Sequence, residues 1–583
     1  MIRPSLPKLV GSLAVLAVTA GLGTTVAAAP ATSATSADCP AAYPVDQLQQ
    51  GDAVHGLTVS HGTTPDPFDG SVIGVLQDGI AQGVPMIMVK LTSPEIDDIG
   101  GIWEGMSGSP VYAANGDLIG AVAYGLSYGP SPIAGVTPAA DMQQLYTEGG
   151  SASTAAARTV AVPTRMAARL VASGDATQQQ ADGGYTPLRT PLVISGMQAQ
   201  ARRADLAKGL GLTGRVLAGS AASSSGPAYP VTAGGNLVAA LSHGAVTAAA
   251  IGTATEVCNG QVIGFGHPFT FAGDTSYTMH GADTLYVQPD SLGAAYKVAN
   301  LGAPVGTVTG DHLTGIAGTL LQTPQEGQVS SAARMGTRRS HGTTYVSAPD
   351  FTPDLAASTM AAEQDRAMDY IGKGSSRATW QIDGTRSNGV PFEVNRTDYY
   401  SDGYDISYAT AGDLFGALYR ITSADPGARI GNIATTTVVD KQPGSYHIAS
   451  VQARIHGVWQ KLRPSSVVNV RAGDIRRFRV QLTSPALGQR TVTVTLSVPN
   501  APLGSVGSVT VYGPGYEDGE MYYYGGPQQS LGAVIKDLNT SPRHDQVVAA
   551  LQGRGPWHQQ AQAVKATHHV VTGERFFSVR VTP

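Results

Sequence analysis

Between Val54 and Val122 the chain repeats one pattern, a short apolar run followed by a turn signal: Leu57-Thr58-Val59, Ser71 to Leu76, Met86 to Leu91, Leu118 to Ala123. Runs of that length, bounded by Gly, Pro and Asp, predict the short strands of a barrel or sandwich rather than long helices. The wider composition agrees, with 72 Gly and 36 Pro among 583 residues and only 14% charged side chains. A chain of this length holds about three globular units. Its net charge of −5 offers no basic stripe for a phosphate backbone, which argues against nucleic acid as a partner.

The N-terminus reads differently. Arg3 and Lys8 precede an apolar run from Leu9 to about Ala29, and small residues such as Thr35-Ser36-Ala37 follow. That order predicts a secretory signal over 1–37, and hence a protein working outside the cytoplasm or at the cell envelope. Cys39 and Cys258 are the only cysteines. In an oxidising compartment they can pair, tying the mature N-terminus to the strand before His267; Cys39, so near the processed end, can equally stay free.

Strand and turn signals divide the rest into 38–150, a linker at 151–190 with a Gly/Ser/Ala-rich connector at 149–160, a second strand-rich lobe at 191–345, and an α+β region at 346–430. Within the last, Leu355 to Ile371 and Asp413 to Thr422 carry helix signals. Regular strands over 431–505 predict an Ig-like sandwich. A C-terminal α+β segment at 506–583 completes the chain, with short helices expected at Ser530–Leu538 and Asp545–Leu551 and a strand at Arg575–Val581.

The chemistry concentrates at Gly105-Met106-Ser107-Gly108-Ser109-Pro110. An acyl-transfer serine must sit on a tight turn where its hydroxyl is presented and backbone N–H groups can meet a developing oxyanion. Gly105 and Gly108 supply that freedom around Ser107. The order Gly-X-Ser-Gly-(Gly/Ser)-Pro is that of chymotrypsin-like double-barrel proteases; Ser109 in the fifth place breaks the Gly-X-Ser-X-Gly elbow of α/β-hydrolases.

The stretch Gly100–Pro110, followed by Val111-Tyr112 and Asn115 to Val122, resembles the nucleophile region of the SpoIVB-type serine peptidases. Val262-Ile263-Gly264-Phe265-Gly266-His267-Pro268 is similar to that family's Gly-His segment, and Val305 to Thr319 to the stretch downstream of it. The resemblance covers roughly residues 50–325 and implies a mainly β fold with a chymotrypsin-like double β-barrel, which the helix and strand signals further along follow with a helical linker and a C-terminal sandwich. It also implies Ser107 as nucleophile, His267 as general base, the backbone N–H groups of Gly105 and Ser107 as the oxyanion hole, and a protein or peptide substrate. The Ser segment precedes the His segment, the reverse of the family's order; triads tolerate several chain orders. Where the family carries a Thr-Asp-Pro acid, this chain has Thr92-Ser93-Pro94. Asp97 is the nearest substitute and Asp311 its rival.

No metal helix motif, Cys-X-X-Cys pair, phosphate loop or dinucleotide fingerprint appears, so no cofactor is expected. Two readings follow. The first is a secreted serine endopeptidase; the second is a catalytically silent peptidase-like scaffold whose C-terminal sandwich binds a cell-envelope partner.

Overall fold

The computed structural model describes residues 39–583 except 148–158, 213–214, 218, 220–221, 223–224, 291–293, 517–528 and 556. The expected signal and nearly all of the 149–160 connector lie outside the described residues. The protein is mainly β, with 50% strand and 18% helix.

Six strands form the first barrel: β1 (Ala53–Thr58), β2 (Asp66–Ala81), β3 (Val84–Thr92), β4 (Pro110–Ala113), β5 (Leu118–Leu126) and β6 (Ile133–Pro138). They pair in the order β4-β1-β2-β3-β6-β5, and β5 returns to β4, so the antiparallel sheet closes. Closure pairs Leu118–Ala121 of β5 with β4, while Tyr124–Leu126 run past β4 and leave an edge there. β5 and β6 are buried at every residue, which accounts for the unbroken apolar reading of Leu118 to Leu126. Phe68, Ile87, Val89, Trp103, Val122 and Val136 fill the interior.

From residue 159 on, the stretch expected as a linker is built onto this barrel. Helix Thr164–Ala172 buries Leu170, and helix Gln178–Gly183 opens with a Thr177/Gln180 capping box. Strand β7 (Tyr185–Pro187) then pairs with β5.

A 13-stranded sheet follows, made of β8 (Leu192–Ser195), β9 (Val216–Leu217), β10 (Asn236–Gly244), β11 (Thr247–Cys258), β12 (Gln261–Gly264), β13 (Gly273–Gln288), β14 (Tyr296–His312), β15 (Gly315–Leu320), β16 (Gly327–Met335), β17 (Arg338–Val346), β18 (Gly374–Thr385), β19 (Pro391–Asp402) and β20 (Arg429–Asp440). Within it β10, β13, β14, β15, β12 and β11 pair in turn, and β11 returns to β10, a second closed antiparallel cycle. The long β13 and β14 carry register shifts, the bulges that let long strands bend around a ring. Beyond β10 the sheet continues through β17, β16, β20, β18 and β19, with β16 and β20 parallel. Helices Thr352–Met368 and Ile406–Ala424 supply Leu355, Met360, Leu414 and Ile421 to the same core as Trp380 and Ile433. The expected boundary at 430/431 therefore cuts through β20. Cys39 and Cys258 form a disulfide, their Cα atoms 5.4 Å apart, fastening the start of the described chain to the end of β11.

The C-terminal sandwich begins at Ser445. One sheet contains Val458–Lys461, Ser445–Ile455, Ile475–Ser484 and Gly488–Ser497, with Val570–Thr572 on the second of these. The other runs Val467–Val470, Glu574–Val581, Val506–Tyr512, Gln546–Gly553, Gln560–Ala566. Phe478, Val480 and Leu482 alternate inward from the first sheet and meet Phe577, Val579 and Val509 from the second. The sandwich expected within 431–505 thus draws half its strands from beyond 505. Asp545–Leu551, expected as a helix, is largely strand: Val547, Ala549 and Leu551 bury into the same core, and partners on both edges outweigh the helix preference of Ala, Leu and Gln. The helix expected at Ser530–Leu538 spans Leu531–Thr540, capped by the Ser530 hydroxyl.

Candidate active site

Ser107 lies in the turn that leads into β4, between β5 of the first ring and β11 of the second, and backbone geometry holds it there. Gly105 (φ 102°) and Gly108 (φ 98°) both adopt left-handed conformations that side chains resist. At Gly108 space is also denied, because a Cβ would lie 1.9 Å from the Thr253 carbonyl oxygen. The turn closes on itself through Ser109 N–H to Met106 O, and is stitched to β5 by Gly108 N–H to Val122 O, both 2.8 Å. β11 clamps the other side. Thr253 N–H donates to Ser107 O (2.8 Å), and the Thr253 and Thr255 hydroxyls donate to the carbonyls of Gly105 (2.9 Å) and Gly108 (2.8 Å). Sequence reasoning missed both threonines, which read as ordinary strand residues. Ser109, the neighbour of Ser107, is occupied structurally: its hydroxyl donates to Thr58 Oγ1.

His267 enters from the second ring. β12 ends at Gly264, and Phe265 (φ 67°) and Gly266 (φ 71°) turn the chain sharply before it. The Thr137 hydroxyl of β6 holds the Gly266 carbonyl at 2.6 Å, so the first ring also fixes the approach to the histidine. The outcome is a close pair, with His267 Nε2 2.9 Å from Ser107 Oγ. Both side chains are buried.

The tautomer follows from the partners. His267 Nδ1 lies 2.8 Å from the Pro268 carbonyl, which can only accept, so Nδ1 carries the proton and Nε2 presents its lone pair to the serine. Burial pushes the imidazole below the ordinary histidine value, with the Pro268 and Leu188 carbonyls and the Asp311 charge opposing. The ring is therefore neutral and accepting, the state a general base needs at rest.

Neither candidate carboxylate reaches that ring. Asp97 sits exposed on the helix Pro94–Ile99, bonded to the Thr92 hydroxyl at 3.0 and 3.1 Å. Asp311 is buried beside the loop after His267, accepting from the N–H groups of Phe269, Thr270 and Phe271 and from the Thr270 hydroxyl. It fixes the loop that carries His267 and adds negative charge nearby, while the direct orienting bond comes from a main-chain carbonyl. No sequence signal marks a carbonyl for that role.

Two further features surround the serine. Among the described residues, the N–H groups of Gly105 and Ser107 donate to no protein acceptor. The serine hydroxyl also faces the carbonyl oxygen of Leu188 at 2.8 Å, so its single proton is shared between that oxygen and His267 Nε2. Behind Gly105, Lys297 packs so closely that an added Cβ would lie 2.9 Å from its own Cβ. Burial lowers the Lys297 amine to about 7, and it donates to Asn236 Oδ1 at 2.8 Å, away from the serine. Searches of family models, curated proteins and solved structures return no match to this chain.

Proposed function

We propose that the protein is a secreted serine endopeptidase of the SpoIVB type, with its active site at the junction of two chymotrypsin-like barrels. The observation that carries this reading is the 2.9 Å contact between Ser107 Oγ and a neutral, buried His267 Nε2. Ser107 attacks the scissile carbonyl while His267 takes its proton and then passes it to the leaving amine. The Pro268 carbonyl holds Nδ1–H throughout, and the charge of Asp311 favours the imidazolium that forms transiently. The N–H groups of Gly105 and Ser107 receive the oxyanion, each such donor contributing about 3–4 kcal/mol to the transition state. Water then hydrolyses the acyl-enzyme by the same steps in reverse.

A second reading, a silent scaffold presenting the C-terminal sandwich to a cell-envelope partner, is favoured by one observation: Ser107 has no exposed surface. Hydrolysis of unfolded casein separates the two. Ser107→Ala and His267→Ala are each expected to lower the rate by about a thousandfold or more, and the double variant to be no worse than either, because a nucleophile and its base act as one unit. Wild-type protein that leaves casein intact would favour the scaffold, and additive losses in the double variant would contradict the joint action of Ser107 and His267.

A further inference from the structure

The Leu188 carbonyl reaches Ser107 as the end of a strand. β7 pairs antiparallel with β5, placing Tyr185 opposite Leu126, Thr186 opposite Gly125 and Pro187 opposite Tyr124. Leu188 N–H extends the ladder to the Ala123 carbonyl at 2.8 Å. Addition of an extended segment to a sheet edge is a general mode of peptide recognition, in which the main chain supplies affinity and alternate side chains supply selectivity. In this register the carbonyl that arrives at the nucleophile belongs to Leu188.

The side chains fit the same picture. Leu188 is only 6% exposed, while the next residue, Arg189, is exposed. The leucine packs beside Gly125 and Ile102: a Cβ added to Gly125 would stand in van der Waals contact with both, 3.5 Å from Leu188 Cδ1 and 3.4 Å from Ile102 Cδ1. The pose is unreactive, because the Leu188 oxygen takes its hydrogen bond from the Ser107 hydroxyl and not from the N–H groups of Gly105 and Ser107. A carbonyl turned that way is not polarised for attack.

We propose that residues 185–188 are a resident occupant of the peptide cleft. Substrates are extended segments that displace this strap, add to β5 in its register, and bring a leucine-sized apolar residue to the carbonyl beside Ser107. The proposal rests on the peptidase reading, and two measurements separate their fates.

In the full-length protein, Leu188→Gly should raise the rate of fluorophosphonate labelling at Ser107 at least about tenfold, since the strap loses the side chain that seats its carbonyl against the serine; Leu188→Ala serves if the glycine variant does not fold. Independently of catalysis, the Ser107→Ala/Leu188→Gly protein should bind acetyl-Tyr-Thr-Pro-Leu in a calorimetric titration and bind acetyl-Tyr-Thr-Pro-Asp at least about tenfold more weakly. Equal binding of the two peptides, or binding of neither, overturns the proposal whatever the labelling shows. Selective binding by a protein that fluorophosphonate never labels keeps the cleft assignment and removes the peptidase reading.

Discussion

Replacing Gly108 with alanine tests whether the serine turn is held as tightly as its contacts require. Two costs add. A φ of 98° puts an L-residue in the left-handed region, costing about 1–2 kcal/mol. The new methyl would also start 1.9 Å from the Thr253 carbonyl oxygen, and forcing it in requires a shift of the clamp that costs a further 1–3 kcal/mol or so. Gly116 provides an internal control: it has φ 90° in the β4–β5 turn, but a Cβ there meets nothing within 4 Å. Hydrogen exchange of the β4 and β5 amides in Gly108→Ala and Gly116→Ala reads the difference directly. The Gly108 variant should lose protection about fivefold to 150-fold more than the Gly116 variant, the kinetic equivalent of that second cost. Equal losses would refute the close approach of Thr253 and, with it, the clamp that positions Ser107.

Two further outcomes follow from the fold. Burial, reinforced by nearby His243, lowers the His280 imidazole to about 4. On acidification the unfolded chain takes that proton near pH 6.5 while the folded chain refuses it, so about 3 kcal/mol of stability should be lost between pH 6.5 and 4; a urea midpoint flat across that range, or equally acid-sensitive in His280→Gln, would contradict this. A fragment of 443–583 should show a cooperative β-type melt by circular dichroism, whereas 432–500, which lacks four of the five strands of one sheet, should not; a folded 432–500 would show that one sheet suffices.

The parts of this molecule legible in its sequence are those where local chemistry dictates geometry. Glycines around Ser107 and before His267 announce tight turns, and the short punctuated runs of 53–138 announce barrel strands. Pairings distant in sequence left no such mark. Nothing near 505 says that Glu574–Val581 will lie beside Val506–Tyr512, and nothing near Arg429 says that β20 will join β16 in parallel. Gln546–Gly553 has helix-favouring residues and becomes a strand because its neighbours bury it on both sides. At the site, the proposed nucleophile Ser107 and base His267 are visible in the sequence as side chains with known chemistry. The group orienting His267 and the oxygen facing Ser107 are main-chain carbonyls of Pro268 and Leu188, which every residue possesses.

Activation of Ser107 by His267, as proposed, is read from the site of a covalent adduct. Full-length protein incubated with an excess of fluorophosphonate, then digested and mapped by mass spectrometry, should carry the adduct on Ser107 alone, and the adduct should vanish in His267→Ala while the fold persists. An adduct on Ser109, undiminished labelling without His267, or no adduct in either the wild type or Leu188→Gly would contradict it.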